Sequence, residues 1–242
     1  MPVTRLAVIG VFACLLAADA GSAADLPDPT SAKLTAAERL PALVARVKYE
    51  QEHLRTLQAD FVQLRESQLL LAPEESRGVF YYAAPESVRW EYRTPKPISM
   101  VIRGQALTTW YRDLGRADRI DVGRQSTQIL RYLGAGSSLG TLLQYFNVNL
   151  ASPKDDAGEP FRLDLKPRFE RVAKRLREMT IWLDREHYLP VHLRYVEPNG
   201  DITEYRFTAM RVNQPIAADL FDLKLPAGVK VRSIAKGADA GN

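Results

Sequence analysis

Cysteine is almost absent from this chain of 242 residues, which has only Cys14. Because Cys14 lies in an apolar run near the start, the rest of the chain has no thiol for a disulfide, a nucleophile or a metal site. Histidine is scarce too, with only His53, His187 and His192. Asp184 lies close to His187, but residues 184–187 are interpreted as a hairpin turn in preference to a metal site. No Ser-His-Asp order or other nucleophile motif is present, so the sequence predicts a protein that is not an enzyme and needs no cofactor.

A strong charge of one sign is also missing, since the net charge is only +4. This excess is too small to indicate nucleic-acid binding. No apolar run is long enough to span a bilayer. The run from Leu6 to Ala18 follows Arg5 and leads into small residues that end at Ala24. A basic start, an apolar centre and a small-residue exit predict a secretory signal peptide over residues 1–24, cleaved after Ala24 or Ala20.

A second interpretation of the same run makes Cys14 the acylated first residue of a lipoprotein. It is less favoured, because Phe12 is bulky where such sites need a small residue and the apolar core before Cys14 would be very short. Under either interpretation the protein is exported, which argues against a nucleic-acid partner.

The stretch from Gly78 to Tyr92 has the clearest β pattern in the chain and predicts a hairpin around a Pro-Glu-Ser turn. In the second arm Val88, Trp90 and Tyr92 fall on one face and charged residues on the other. The first arm, residues 79–82, is apolar or aromatic on both faces. Such a strand must be covered on both sides, and one of the covers could be a ligand.

The remaining pattern predicts a single domain over residues 34–242, after a flexible leader at 25–33. An amphipathic helix is expected over residues 40–57, with Thr35 and Glu38 as a capping box. Helical spacing returns between residues 128 and 147, which predicts two short helices. Further strands are predicted at 61–71, 98–103, 106–112, 119–122, 161–165, 179–184, 191–197, 201–212 and 221–225. The fold class is therefore mainly β (α+β), a meander of about ten or eleven antiparallel strands.

Four segments, in this order and spacing, resemble the LolA family of periplasmic carriers, which move lipoproteins to the outer membrane of Gram-negative bacteria. They are residues 57–63, residues 78–92, residues 163–167 with the strand at 179–184, and residues 213–215 with 220–229. The resemblance implies an unclosed half-barrel whose concave face is roofed by a lid of helices, with a hollow between them for acyl chains. It also implies a monomer in the periplasm that is loaded by an inner-membrane ABC transporter and unloaded by an outer-membrane acceptor.

On this resemblance we expect an apolar cavity between the sheet and the lid, with a lid hinge at Gly134 and Gly136. The alternative is that the same side chains only form an ordinary hydrophobic core. The cavity residues predicted are Phe80, Tyr82, Ala84, Val88, Trp90, Tyr92, Trp110, Leu139, Leu143 and Phe146.

Two local features leave alternatives open. Ala84 stands where the family usually has an arginine that ties the sheet to the lid, so a carrier of another lipid or glycolipid stays open. A sensor of mislocalised lipoproteins that uses the same half-barrel is a separate alternative. The second feature is a basic run, interpreted either as a solvated edge or as a contact for anionic head groups or for an acidic patch on a partner. The run comprises Arg168, Arg171, Lys174, Arg175 and Arg177.

Overall fold

The computed structural model describes residues 26–121, 139–151 and 158–234, and within them it contains three α-helices and twelve strands. The helices are α1 (Ala36–His53), α2 (Leu139–Tyr145) and α3 (Glu170–Ala173). The strands are β1 (Thr56–Glu66), β2 (Glu74–Ala83), β3 (Ser87–Thr94), β4 (Ile98–Arg103), β5 (Ala106–Tyr111), β6 (Arg116–Asp121), β7 (Phe146–Ala151), β8 (Phe161–Pro167), β9 (Glu178–Leu183), β10 (Pro190–Val196), β11 (Ile202–Val212) and β12 (Lys230–Ile234). None of the helices in these described ranges is both long and apolar enough to cross a bilayer.

All twelve strands belong to one sheet, in the order β12-β6-β5-β4-β3-β2-β1-β11-β10-β9-β8-β7. Neighbouring strands are antiparallel, apart from β12, which pairs in parallel with β6. The pairing of β1 with β11 joins the two halves of the chain in the middle of the sheet. Because β12 and β7 remain as separate edges, the sheet does not close. The predicted unclosed, mainly antiparallel architecture is confirmed.

One face of the sheet, which we call the inner face, carries large apolar side chains that α1 and α2 cover. Along it Ala59 lies opposite Phe80, Phe80 opposite Trp90, and Trp90 opposite Met100. The ring of Phe61 crosses Gly78 so closely that a β-carbon there would lie 2.7 Å from the ring. Glycine at this position therefore lets an aromatic ring lie flat on the strand.

Helix α1 begins as the sequence predicts but ends earlier. The backbone N–H of Thr35 donates to Oε2 of Glu38 at 2.8 Å, as in a capping box. The predicted end at residue 57 is wrong, since the helix stops at His53 and Leu57 pairs with both β2 and β11. Leu57 satisfies the helical repeat and the strand alternation at once, and the strand prevails because Ala59 and Phe61 continue its buried face.

Other element predictions also need correction. The strand predicted at 61–71 is β1, which runs from Thr56 to Glu66, so residues 67–71 lie in a loop. Phe146 begins β7 and does not belong to a helix. The predicted strand at 221–225 is absent, and Phe221 instead ends a short 3-10 turn, Ala218–Phe221. The strand β12 was not predicted, because its side chains are mostly exposed and show no apolar alternation. With β7 and β12 included, the described residues contain more strands than the ten or eleven expected.

The opposite, outer face is covered in part by the segment that leads to β12. Phe221 is buried there, and Nη1 of Arg89 donates to the carbonyl of Leu220 at 2.7 Å. At the edge of the sheet, Arg232 makes two contacts of 3.1 Å with the buried carboxylate of Asp118. The chain after β11 therefore crosses behind the sheet and pairs with the open edge of β6.

Candidate functional site

The inner face is built around a cluster of aromatic rings from β1, β2, β3 and β11. The centroid of the Trp90 ring lies 4.8 Å from that of Phe80, 4.9 Å from Phe61, 5.3 Å from Tyr205 and 5.9 Å from Phe207. All five side chains are buried. Most of these pairs are tilted or edge-to-face, the arrangement that aromatic rings prefer. The inner face thus presents a continuous aromatic surface.

Two helices that are separate in sequence cover this surface. Leu43 and Val47 of α1 and Leu139 and Leu142 of α2 are buried and belong to the same apolar cluster as the rings. Leu142 was not predicted, whereas the predicted Leu143 is only half-buried and lies outside the cluster. Because the rings and leucines belong to one packed cluster, the inner face becomes accessible only when a helix moves aside.

Most of the predicted cavity residues come together at this place. Phe80, Tyr82, Val88, Trp90, Leu139 and Phe146 are buried in the cluster, and Ala84 and Tyr92 pack against it half-buried. Gly134 and Gly136, the predicted hinge, lie outside the described residues.

Trp110 is the predicted cavity residue that the strand register places elsewhere. It lies opposite Ser99 and Ala117, whereas its neighbour Thr109 lies opposite Met100 and so shares the face of Trp90. The guanidinium carbon of Arg112 lies 4.8 Å from the centroid of the Trp110 ring, on the outer face. Trp110 is therefore removed from the candidate site. Its sequence context, apolar or hydroxyl residues on both sides, left the facing undetermined.

The sequence prediction missed the other half of the inner face, on β8, β9 and β10. Its residues are buried in the same cluster: Phe161, Leu163, Leu165, Met179, Ile181, Leu183 and Leu193. The signal was present, since the apolar residues of 161–165 alternate, but the aromatic hairpin drew the prediction to the opposite half.

Three tyrosines, Tyr92, Tyr195 and Tyr205, bring hydroxyl groups to the inner face. Burial raises the pKa of the Tyr205 phenol well above its ordinary value, and the neighbouring phenols of Tyr92 and Tyr195 raise it further. Burial also raises the pKa of Tyr92. Tyr205 and Tyr92 therefore place hydroxyl groups, and no charge at neutral pH, beside the aromatic rings of the inner face.

At Ala84 the contact with the neighbouring segment is made by the backbone and not by an arginine side chain. Its N–H donates to the carbonyl of Arg55 at 2.8 Å. Helix α1 is instead attached to the loop before β10, where the guanidinium carbon of Arg46 lies 5.2 Å from the centroid of the buried Tyr188 ring. This cation–π contact supplies a link between helix and sheet that does not need an arginine at position 84.

The outer face carries a charged network centred on Glu91. Nη2 of Arg89 donates to Oε2 of Glu91 at 2.6 Å, and Ser99 donates to the same oxygen at 2.8 Å. Arg112 donates to the other oxygen of Glu91 and to Ser99. Burial alone would raise the pKa of Glu91, but the hydrogen bonds from Ser99, Arg89 and Arg112 outweigh it and lower that pKa below its ordinary value. These contacts describe a structural network of satisfied charges.

Other candidate chemistry is weak in the described ranges. No group of three or more metal-ligating side chains occurs in them. His192 stacks on Trp182 at 4.0 Å on the outer face, where burial lowers its pKa against the opposing effect of Glu204. Two clefts, of about 450 and 530 Å³, lie beside the β5–β6–β12 edge and the β7–β9 region, and neither is lined by a ring of the aromatic cluster.

The chain is similar in sequence to a protein family and to two described proteins, and similar in fold to a solved structure. The family model of outer membrane lipoprotein carrier protein LolA matches residues 52–224. An outer-membrane lipoprotein carrier protein of Alkalilimnicola ehrlichii is 28% identical over 189 residues, which are 74% of this chain and 78% of that protein. A protein of the same description from Methylococcus capsulatus is 26% identical over 191 residues, covering 77% and 86% of the two chains. A solved structure of an uncharacterized conserved protein from Thermus thermophilus shares the fold, with a TM-score of 0.53, 9% identity, and coverage of 81% of this chain and 99% of that one.

Proposed function

The chain belongs to the LolA family of outer membrane lipoprotein carrier proteins, and we propose that it is a periplasmic carrier that shelters the acyl chains of lipoproteins on its inner face. The observation that carries the proposal is the aromatic surface around Trp90, which two helices from distant parts of the sequence cover. Separate covers can move independently of the sheet, so the surface can be exposed without unfolding the strands.

Acyl chains supply the free energy for this exchange. Burial of an acyl chain yields about 0.8 kcal/mol for each methylene group. Moving α1 or α2 aside removes the contacts of Leu43, Val47, Leu139 and Leu142 with the cluster. An acyl chain that takes their place restores apolar contacts with the rings, so several methylenes offset the cost of opening. Binding is then reversible and needs no chemical step.

Release of the acyl chain to a partner depends on the same difference in free energy between the open and the closed form. A partner that favours the open form lowers the affinity for the acyl chain, whereas the closed form retains it. We propose an inner-membrane ABC transporter as the donor and an outer-membrane protein as the acceptor, with the carrier acting as a monomer between them. The family relationship and the predicted signal peptide over residues 1–24 support this route.

A hydrophobic fluorescent probe that an acylated peptide displaces tests the proposal. Tyr82 is buried on the inner face, and its neighbour Tyr81 lies on the outer face opposite Arg89. We expect Tyr82→Glu to abolish probe binding, because the carboxylate would lie inside the apolar surface. Tyr81→Glu is the matched control and should retain it.

Circular dichroism must show the strand content of the parent protein in both variants for this comparison to count. Equal probe binding by the two folded variants would contradict the assignment of the inner face.

A second candidate function is a carrier of another lipid or a glycolipid, and the observation that favours it is Ala84. With α1 attached through Arg46 and Tyr188 instead, the opening of the lid has a different energetic balance. Native mass spectrometry of the protein taken from the periplasm decides between the two candidates. A copurified acylated protein supports the first, and a copurified lipid or glycolipid supports the second.

A further inference from the structure

A short segment concentrates positive charge on one part of the surface. Residues 166–177 contain six basic residues and one acidic residue, a local charge of +5, while the whole chain carries +4. Helix α3 lies within this segment, and Val172 and Leu176 pack against the core. This packing leaves Arg171, Lys174 and Arg175 exposed. The cations therefore form a fixed patch and not a loose tail.

Two exposed aromatic rings lie in the same patch. Phe169 is 46% exposed and Tyr145 is 37% exposed, with their ring centroids 6.3 Å apart. The guanidinium carbon of Arg171 lies 5.4 Å from the Phe169 ring and 6.0 Å from the Tyr145 ring. Aromatic rings beside basic side chains are typical of protein surfaces that enter the interface of a bilayer. Tyr145 also ends α2, so the patch adjoins a helix that covers the inner face.

A second exposed apolar feature lies at the same end of the sheet. Leu69 and Leu71, in the loop between β1 and β2, have relative exposures of 93% and 109%. The strands from β2 to β8 alternate in direction, so this loop and the segment between β8 and β9 emerge at one end. The three strand spacings from β1 to β9 separate them by about 15 Å along the sheet. Exposed leucines are costly in water, and two at one loop tip indicate a surface that binds something apolar.

We propose that this end of the sheet docks on the surface of a bilayer that contains anionic phospholipid. The basic patch is complementary to the negatively charged head groups, and the leucines and aromatic rings on the same rim are complementary to the apolar layer beneath them. An acidic patch on a protein would match the cations but would leave Leu69 and Leu71 without a reason for exposure. Docking would bring the end of α2, one of the two helices that cover the inner face, close to the membrane.

Vesicle co-sedimentation tests the proposal, using residues 25–242, which contain every described element and lack the apolar run at the start. We expect binding to phosphatidylethanolamine vesicles that contain phosphatidylglycerol, and weak binding without it. Each base near an anionic surface contributes about a factor of five to the partition coefficient. Arg171→Gln with Arg175→Gln should therefore weaken binding roughly 25-fold. Leu69→Ser with Leu71→Ser should weaken it roughly tenfold.

The matched control is Arg55→Gln with Arg211→Gln, which removes two exposed bases from the opposite end of the sheet. This pair should leave vesicle binding within a factor of two of the parent, since each base lies more than a Debye length from the docked surface. Equal loss in the control pair overturns the proposal, and so does an absence of binding to phosphatidylglycerol vesicles, whether or not the chain binds an acidic protein. Tyr82→Glu should keep vesicle binding while losing the hydrophobic probe, so failure of this proposal is distinguishable from failure of the carrier function.

Discussion

Residues on the two faces of the sheet make different kinds of contact. Glu91, on the outer face, makes polar contacts. Its carboxylate accepts hydrogen bonds from Arg89, Ser99 and Arg112, and Arg89 also holds the carbonyl of Leu220. One acidic side chain thus joins β3, β4 and the segment behind the sheet. The neighbouring Trp90 faces the aromatic cluster.

Because of the hydrogen bonds to Glu91, the free energy of unfolding depends on pH. Because they lower its pKa in the folded state, their contribution is fully present above the ordinary value of 4.5 and is lost as pH falls through the folded value. We expect Glu91→Gln to lower the free energy of unfolding by about 2 kcal/mol at neutral pH. Urea unfolding at neutral and at acidic pH should show this difference shrink as the parent protein loses its own carboxylate.

Glu75→Gln is the control for this measurement, because Glu75 pairs with Arg77 at the surface, where both side chains are well exposed. Its effect should stay below about 1 kcal/mol. A difference between Glu91→Gln and the parent that does not change with pH would show that the carboxylate is not the group responsible.

Some residues of the candidate site could be placed from the sequence alone, and others could not. Val88, Trp90 and Tyr92 were placed on one face because strict alternation in β3 leaves one solution. Trp110 could not be placed, since Thr108, Thr109 and Tyr111 accept either face, and its facing is set by the register with β4 and β6. Registers between strands distant in the chain are not encoded in local periodicity.

At the level of elements, the covering helices determine how the inner face opens. Helix α1 contributes Leu43 and Val47 to the core, and beside them Arg46 lies over the Tyr188 ring and pairs with Glu50 at 2.7 Å. This contact links α1 to the loop that precedes β10.

Removing that link should loosen α1. We expect Arg46→Ala to weaken the docking of α1 by about 1 kcal/mol, the value of a partly buried cation–π contact. Amide hydrogen exchange in residues 43–50 should then become roughly fivefold faster while the strands keep their protection.

Lys48→Ala is the matched control on the same helix, since Lys48 is exposed and pairs only weakly with Glu52 at 3.8 Å. Equal acceleration in both variants would mean that helix propensity, and not the contact with Tyr188, determines the exchange rate.

Helices and strands with a clear sequence pattern were predicted well, and those without one were misplaced or missed. The bounds of β4 match the prediction at 98–103, because a turn of Gly104 and Gln105 and a proline mark its ends. Helix α1 was extended too far because Leu57 fits both repeats. The edge strand β12 carries exposed Val231 and no apolar face, so only its pairing with β6 reveals it.

On the scale of the whole molecule, the fold separates three surfaces. The inner face is aromatic and covered by helices, the outer face is charged and carries the segment around Phe221, and one rim combines basic residues with exposed leucines. The composition predicted export and excluded thiol chemistry, but this separation depends on strand order, which brings β11 beside β1. No local motif specifies that pairing, and the sequence did not predict it.

The three tryptophans report on this separation, because Trp90 lies on the inner face while Trp110 and Trp182 lie on the outer face. The most direct measurement is therefore fluorescence quenching by a peptide with a brominated acyl chain, which quenches only at short range. In the Trp110→Phe/Trp182→Phe variant, where Trp90 is the single emitter, we expect saturable quenching that a non-brominated acyl peptide reverses. In Trp90→Phe, the two remaining tryptophans should keep their emission. Quenching of Trp110 and Trp182 with Trp90 unaffected would contradict the account, because the acyl chain would then lie on the outer face.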